Sequence, residues 1–233
     1  MQKQKEDKIK ALYTDPNEPG SFGGIESLYR TCRESGLHVT RNEVKDVLKK
    51  EKLYTLYRTR RTHYSRNPTF VNDIDAQWHA DLADMQKVSR HNSGFNYILV
   101  TIDCFSKYVW CIPVKKKDTT NMIAGFTKLF EQAYPRIPKR LQTDKGKEFL
   151  NKPLQNIFKK YKVNHFVTQN ETKASMAERV IRTLKTKIYR WFEHTNGKCY
   201  VDALPKIVDA YNNSIHRTIG MRPRDVAKKD VPR

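Results

Sequence analysis

Phe95-Asn-Tyr-Ile-Leu-Val-Thr-Ile-Asp-Cys104 and Tyr108-Val-Trp-Cys-Ile-Pro-Val114, separated only by Phe105-Ser-Lys107, are two runs rich in β-branched and aromatic residues. Their connection has hairpin length, so they read as a pair of antiparallel strands. Upstream, Trp78-His-Ala-Asp-Leu-Ala-Asp-Met85 reads as a third strand. Downstream the period changes. Thr119 to Tyr134 sets Met122, Ile123, Phe126, Leu129 and Phe130 on one side of a helix. Arg140-Leu-Gln-Thr143 follows as a strand, Leu154 to Tyr161 as a helix and Val163 to Thr168 as a short strand. A long helix is expected from Ala174 to Glu193 and a last one from Tyr200 to Ile215. Three antiparallel strands followed by alternating helix and strand predict an α/β fold, a mixed sheet with helices on both faces.

The stretch before this sheet is different in texture. Residues 1–20 are polar and read as frayed. Gly20-Ser-Phe-Gly-Gly24 punctuates the entry to a helix from Ile25 to Glu34, with Leu28 and Tyr29 on its apolar side and Gly36 as its stop. Thr40-Arg-Asn-Glu43 reads as a capping box opening a second helix with Val44, Val47 and Leu48 at helical spacing. Two short helices around a Gly-containing turn suggest a small helix-turn-helix-like module over 1–54. The segment Thr55 to Asn67 interleaves Arg58, Arg60, Arg61 and Arg66 with Tyr57, His63 and Tyr64. This basic linker, 55–75, suits arginines that pair with phosphates; the bland alternative is a solvated connector.

Charge narrows the partners. The 233 residues carry 45 Lys+Arg against 25 Asp+Glu, a net charge of +20. The excess is +6 over 1–70 and +14 over 71–233, so it belongs to the folded body and favours a polyanion. Cys32, Cys104, Cys111 and Cys199 form no C-x-x-C pair and read as free thiols of a reducing compartment. No apolar stretch has transmembrane length and the first residues lack a signal-peptide core, which predicts an intracellular protein with no membrane partner.

Three acids sit where acids are costly unless used. Asp81 is in the middle of a strand, Asp144 follows directly on Leu141-Gln-Thr143, and Glu178 lies in the first turns of the long helix. Carboxylates so placed can converge on one point and bind a hard cation such as Mg²⁺. On the helix, Glu178, Arg182, Lys185 and Tyr189 share one stripe, while Ala177, Val180, Ile181, Leu184, Ile188 and Trp191 form another. The apolar stripe would pack down and leave the carboxylate and two cations facing a groove. Taken alone, Glu178 and Arg182 would be an ordinary i,i+4 pair. Other acids are weaker candidates: Asp84 points to the opposite face from Asp81, Asp103 suits ordering of the hairpin, and Glu148 is close enough to assist. His79 reads as a packing or hydrogen-bonding residue.

Trp78-His-Ala-Asp81, Gln142-Thr-Asp-Lys-Gly-Lys-Glu-Phe149 and Lys173-Ala-Ser-Met-Ala-Glu-Arg-Val-Ile-Arg-Thr-Leu-Lys185 occur in that order. They resemble the D,D-x-E integrase cores of retroviruses and LTR retrotransposons. The gaps of 62 residues (82–143) and 33 residues (145–177) suit that superfamily, and Tyr211-Asn-Asn-Ser-Ile-His216 before Gly220-Met-Arg-Pro223 looks like the end of such a core. Ser21-Phe-Gly-Gly24, Tyr54-Thr-Leu56, Phe105-Ser-Lys-Tyr108, Ala177-Glu-Arg179 and Arg182-Thr-Leu-Lys185 are most similar to integrases of Maverick/Polinton transposons and virophages.

The resemblance implies an RNase H-like core over 76–225, with a tail over 226–233 read as truncated. It implies two Mg²⁺ ions, replaceable by Mn²⁺, held by Asp81, Asp144 and Glu178. The reactions expected are cleavage of the element's DNA ends and attack of the freed 3′-hydroxyl on target DNA. Lys173, Arg182 and Lys185, with Arg58, Arg60 and Arg61 of the linker, would hold phosphates. The partners implied are double-stranded DNA and further copies of the chain, as a dimer or tetramer, in the nucleus of a eukaryotic host. The His-His-Cys-Cys module that opens retroviral integrases has no counterpart here, so no zinc is expected. The competing readings are a nuclease on the same fold without joining activity and a DNA-binding protein with a dead core; the presence of all three acids weighs against the latter.

Overall fold

The computed structural model describes residues 2–57, 71–167 and 175–230. Arg58, Arg60 and Arg61 of the linker, and Lys173, therefore lie outside the described residues. The chain divides into two compact units, one of residues 1–68 and 183–222, the other of 69–182 and 223–233.

The first unit is helical: α1 (Gln2–Thr14), α2 (Ile25–Glu34), α3 (Arg41–Lys50) and α4 (Lys52–Leu56). The helix expected over 25–34 is present with those bounds, and the chain leaves it through Gly36 at φ +78°. The capping box is complete, with Glu43 N–H donating to Thr40 Oγ1 at 3.2 Å and Thr40 N–H donating to Glu43 Oε2 at 2.6 Å. Residues 2–14 are not frayed, contrary to expectation. Ile9 and Tyr13, one helical turn apart, are buried with Phe22, Leu28, Cys32, Val44 and Leu48. Ion pairs from Lys5 to Glu43 (2.7 Å) and Lys10 to Glu51 (2.9 Å) tie α1 further to its neighbours. Ile9 and Tyr13, with Leu12 packed beside them, anchor a Lys- and Gln-rich segment, because tertiary burial rather than propensity stabilises a short helix.

The second unit holds a five-stranded sheet in the order β3-β2-β1-β4-β5. Its strands are β1 (Gln77–Asp84), β2 (Tyr97–Asp103), β3 (Val109–Val114), β4 (Arg140–Thr143) and β5 (Asn164–Val167). β1, β2 and β3 pair antiparallel, and β4 is parallel to both β1 and β5, so the sheet is mixed as expected. Between the strands lie α5 (Thr119–Ala133), α6 (Lys147–Leu150) and α7 (Lys152–Lys160). Strand alternation sends Trp78, Ala80, Leu99, Trp110 and Ile112 to one face, where they bury Met122, Phe126, Leu129 and Phe130 of α5 and Leu154 and Phe158 of α7. Trp78 stacks on Trp110 with ring centroids 4.2 Å apart, and Phe126 meets Phe158 edge-on at 4.9 Å. Each such fully buried side chain contributes about 1.5–3 kcal/mol of hydrophobic stabilisation.

At the other end of the strands a polar knot closes the hairpin. Asp103, fully buried, accepts from Ser106 N–H at 3.0 Å and from Arg136 Nη2 at 2.8 Å. Arg136 also grips Asp75 through Nε (3.0 Å) and Nη2 (2.8 Å), and Asp75 in turn accepts from Trp78 Nε1 at 3.0 Å. Asp103 thus orders the hairpin, as its position suggested.

Two more helices follow the sheet in sequence, α8 (Ser175–Thr195) and α9 (Leu204–Asn213). Residues 183–222 group with the N-terminal helices. There Lys187 Nζ donates to the Ser21 carbonyl at 2.7 Å, and Arg190 donates to the Phe22 carbonyl, both cations being buried. Burial, with Arg190 beside it, pulls the Lys187 ammonium down to about 8.

Candidate active site

The parallel register of β1 on β4 pairs Gln77 with Arg140, Trp78 with Leu141 and His79 with Gln142. Continued by two residues, it sets Asp81 level with Asp144, just beyond the carboxyl end of β4. Ligand sites of open α/β sheets lie at such ends. Asp81 alternates away from the Trp78 and Ala80 face, so its carboxyl leaves the aromatic core for the opposite side of the sheet. It is half-buried, while Asp144 and Glu178 are exposed.

The acids sense one another's charge. Burial pushes the Asp81 carboxyl up to about 6, and the negative charges of Asp144, Glu178 and Glu148 add to the rise. One hydrogen bond opposes them, from Leu82 N–H to Asp81 Oδ1 at 2.7 Å. Asp144 Oδ1 accepts from Gly146 N–H at 3.0 Å. A Cβ on Gly146 would lie 2.8 Å from Glu148 Oε2 and 3.0 Å from Asp144 Oδ1, so glycine there lets two carboxylates flank one turn. Glu178 stands in the first turn of α8, where the helix dipole favours a negative charge.

Glu148 is therefore a closer member of this group than its sequence position alone implied. The turn Lys145-Gly146-Lys147 folds the chain back so that Glu148 returns towards Asp144. Arg182, exposed, and Lys185, half-buried, occupy α8 at the spacing expected from Glu178.

Behind the acids lies a row of neutral polar groups. His79 is buried, and burial together with the nearby Lys107 holds its imidazole down to about 4. Gln77 Nε2 donates to Gln142 Oε1 at 3.1 Å and lies 3.0 Å from His79 Nε2, so His79 accepts at Nε2 and carries its proton on Nδ1. On the next strand, His165 joins Thr143 Oγ1 and Gln155 Nε2, each at 2.9 Å. This row fixes the tip of β4, from which Asp144 projects. His79 packs and hydrogen-bonds, as read from the sequence.

The donor set is hard oxygen, and among the described residues Asp81 has no ion-pair partner and is surrounded by other carboxylates, which fits a divalent ion. The side chains do not form a closed ligand sphere: among the described residues no group of three or more His, Cys, Asp or Glu is arranged to hold a metal ion. Asp144 and Glu178, being exposed, have room to move.

Residues 71–173 match the integrase core domain. That match includes Asp81 and Asp144 and stops short of Glu178. A transposon-derived protein of Caenorhabditis elegans is 32% identical over 146 residues, 63% of this chain and 51% of the relative. The Pol polyprotein of feline endogenous virus ECE1 is 26% identical over 148 residues, 61% of this chain and 14% of the polyprotein. The chain thus spans about half the length of the first and a small part of the second. Among solved structures, the HTLV-2 integrase catalytic core domain in complex with magnesium superposes with a TM-score of 0.55 at 18% identity, over 65% of this chain and 95% of that one. The second unit accordingly has the fold of that catalytic core, RNase H-like, with a mixed five-stranded sheet flanked by helices. No helix among the described residues is long and apolar enough to cross a membrane.

Proposed function

We propose that this chain is the integrase of a transposable element, of the Maverick/Polinton type, which cuts the ends of its element's DNA and joins them to target DNA. The observation that carries the reading is the β1–β4 register, which levels Asp81 with Asp144 while Glu178 contributes its charge to the same neighbourhood. Asp81, Asp144 and Glu178 would hold two Mg²⁺ ions, with Mn²⁺ as a substitute. Such ions, when bound, neutralise charge developing on the attacking and leaving oxygens of a phosphoryl transfer.

The chain's own residues account for the rest. Asp81, fixed in the sheet, sets the position of the site; Asp144 and Glu178 reach it from the strand end and the helix. Arg182 and Lys185, with Lys173, hold the phosphates of the element end, and Arg58, Arg60 and Arg61 of the linker pair with phosphates of the duplex. The N-terminal helices serve without zinc. Copies of the chain assemble on DNA as a dimer or tetramer in the nucleus of a eukaryotic host.

The test is an assay with oligonucleotides bearing the element's terminal repeats, in Mg²⁺ or Mn²⁺, read for both cleavage and joining. Asp144→Asn and Glu178→Gln are each expected to abolish both reactions while leaving DNA binding intact, since an amide keeps the shape and loses the charge. Cleavage without joining would make the chain a nuclease instead. Substantial activity in either variant would remove that acid from the site.

A further inference from the structure

Lys115-Lys116-Lys117 follows β3 directly, and all three lysines are exposed. The run is held in place from below. Asn96 Nδ2 donates to the Lys115 carbonyl at 2.6 Å, and the Asn96 carbonyl accepts from Met85 N–H at 2.8 Å, so the turn is tied to the end of β1. Lys115 Nζ stands 5.7 Å from the centroid of Phe95 and Lys117 Nζ 5.9 Å from that of Tyr97, which props both ammonium groups on aromatic faces. The adjacent acid, Asp118, is spent as the N-cap of α5, accepting from Asn121 N–H at 2.9 Å. Lys5 and Lys10 of α1 end on carboxylates, whereas these three form no ion pair among the described residues.

The sheet places this ridge relative to the acids. β1, β3 and β4 run in one direction, so their carboxyl ends share an edge of the sheet. Asp144 leaves that edge from β4 and Lys115 from β3, three strands across and, by register, about four residues further along. That is about 14 Å by 13 Å, a diagonal of about 20 Å, or about six base-pair rises.

We propose that the Lys115–Lys117 ridge holds the phosphate backbone of the target duplex. The inference rests on the integrase reading and names the partner of that same site. Two polyanions must reach one cluster of carboxylates, and they cannot share an approach. The element end has the α8 stripe beside Glu178; the ridge lies across the sheet, on the far side of β1. The chemistry differs as well. Three ammonium groups with no amide or guanidinium among them bind phosphate as point charges and read no bases, which suits a target taken without regard to sequence.

The experiment compares the full chain with K115A/K116A/K117A, and with K116E, which leaves the two aromatic-propped lysines in place. The first measurement is affinity for a duplex of about 30 base pairs of unrelated sequence across a salt series. The triple variant is expected to bind at least tenfold more weakly near 0.1 M salt and to flatten the slope of log K against log salt by about three units. The second measurement follows terminal-repeat oligonucleotides with an unrelated duplex as target. Cleavage should stay within about twofold of wild type while joining falls in step with the lost affinity. Melting temperatures should be unchanged. An unaltered salt slope overturns the proposal whatever the enzyme does. Equal loss of cleavage and joining, with an intact melt, assigns the ridge to the element end and overturns it too. If the wild-type chain cleaves nothing, the integrase reading fails, and the flattened slope then stands or falls alone.

Discussion

Replacing Asp81 by asparagine is expected to make the cation-free protein more stable at pH 8 while abolishing its reactions. Asp81 is raised from 3.8 to about 6 by burial and by three neighbouring carboxylates. A carboxyl raised on folding holds its proton more tightly in the folded chain. The associated stability is therefore complete below about pH 4 and is lost as pH rises through about 6. At 1.4 kcal/mol per pH unit the ionised group costs about 3 kcal/mol above pH 6, and about 2 once its partial exposure is allowed for. The amide keeps the Leu82 hydrogen bond and does not ionise, so the variant escapes that loss. For a chain of this length the gain is about 4–10 °C in melting temperature. The assay is thermal melting in EDTA at pH 8 and at pH 5, repeated with millimolar Mg²⁺. The gap between wild type and variant should shrink by about half at pH 5, and Mg²⁺ should raise only the wild-type melt at pH 8. An asparagine variant that melts at or below wild type in EDTA at pH 8 would refute the electrostatic account of this site.

Arg136→Met strips the fully buried Asp103 of its cation and should cost about 3–5 kcal/mol in urea denaturation, with a smaller loss as pH falls, because burial already raises the Asp103 carboxyl; a loss under 1 kcal/mol would show that the knot is dispensable. Arg182→Ala and Lys185→Ala should each flatten the salt dependence of terminal-repeat binding by about one unit and lower joining, with melting nearly unchanged. Variants that melt many degrees lower but keep the wild-type slope would make these cations structural. EDTA should stop catalysis yet leave amide exchange in α1, α2 and α3 of the full chain unaltered; faster exchange there would reveal a metal that the helices need.

Some of this architecture was legible because its signals are local. Gly36 and the Thr40–Glu43 box each act within one turn, and they bound α2 and α3 at the residues read from the sequence. β4 likewise begins and ends as read, since Asp144 and Gly146 close it. The positions of Asp81, Asp144 and Glu178 came from motif and spacing, but the parallel pairing that levels the first two is a contact over 60 residues and leaves no local mark. Lys187 and Arg190 were unreadable for a related reason. A cation on a helix is expected to face water unless something distant needs a donor, and here the carbonyls of Ser21 and Phe22 do. Glu148 was legible only as a residue close enough to assist, because its approach to Asp144 depends on how a tight turn closes and not on any period of the chain.

The two borders of the sheet, β3 and β5, are not equivalent. Asp103 N–H donates to the Tyr108 carbonyl at 2.9 Å, so the alternation along β2 and β3 makes Ile98 and Pro113 a pair that exchanges no hydrogen bond. The nitrogen of Pro113 therefore points away from the sheet, where any other residue would offer a donor to an incoming strand. β5, on the other border, has four residues among those described. A neighbouring chain finds little to zip onto at either border, which protects a highly concentrated, unliganded population from growing ribbons by strand addition. A second copy of the chain would then have to meet this unit through surfaces other than the two sheet borders.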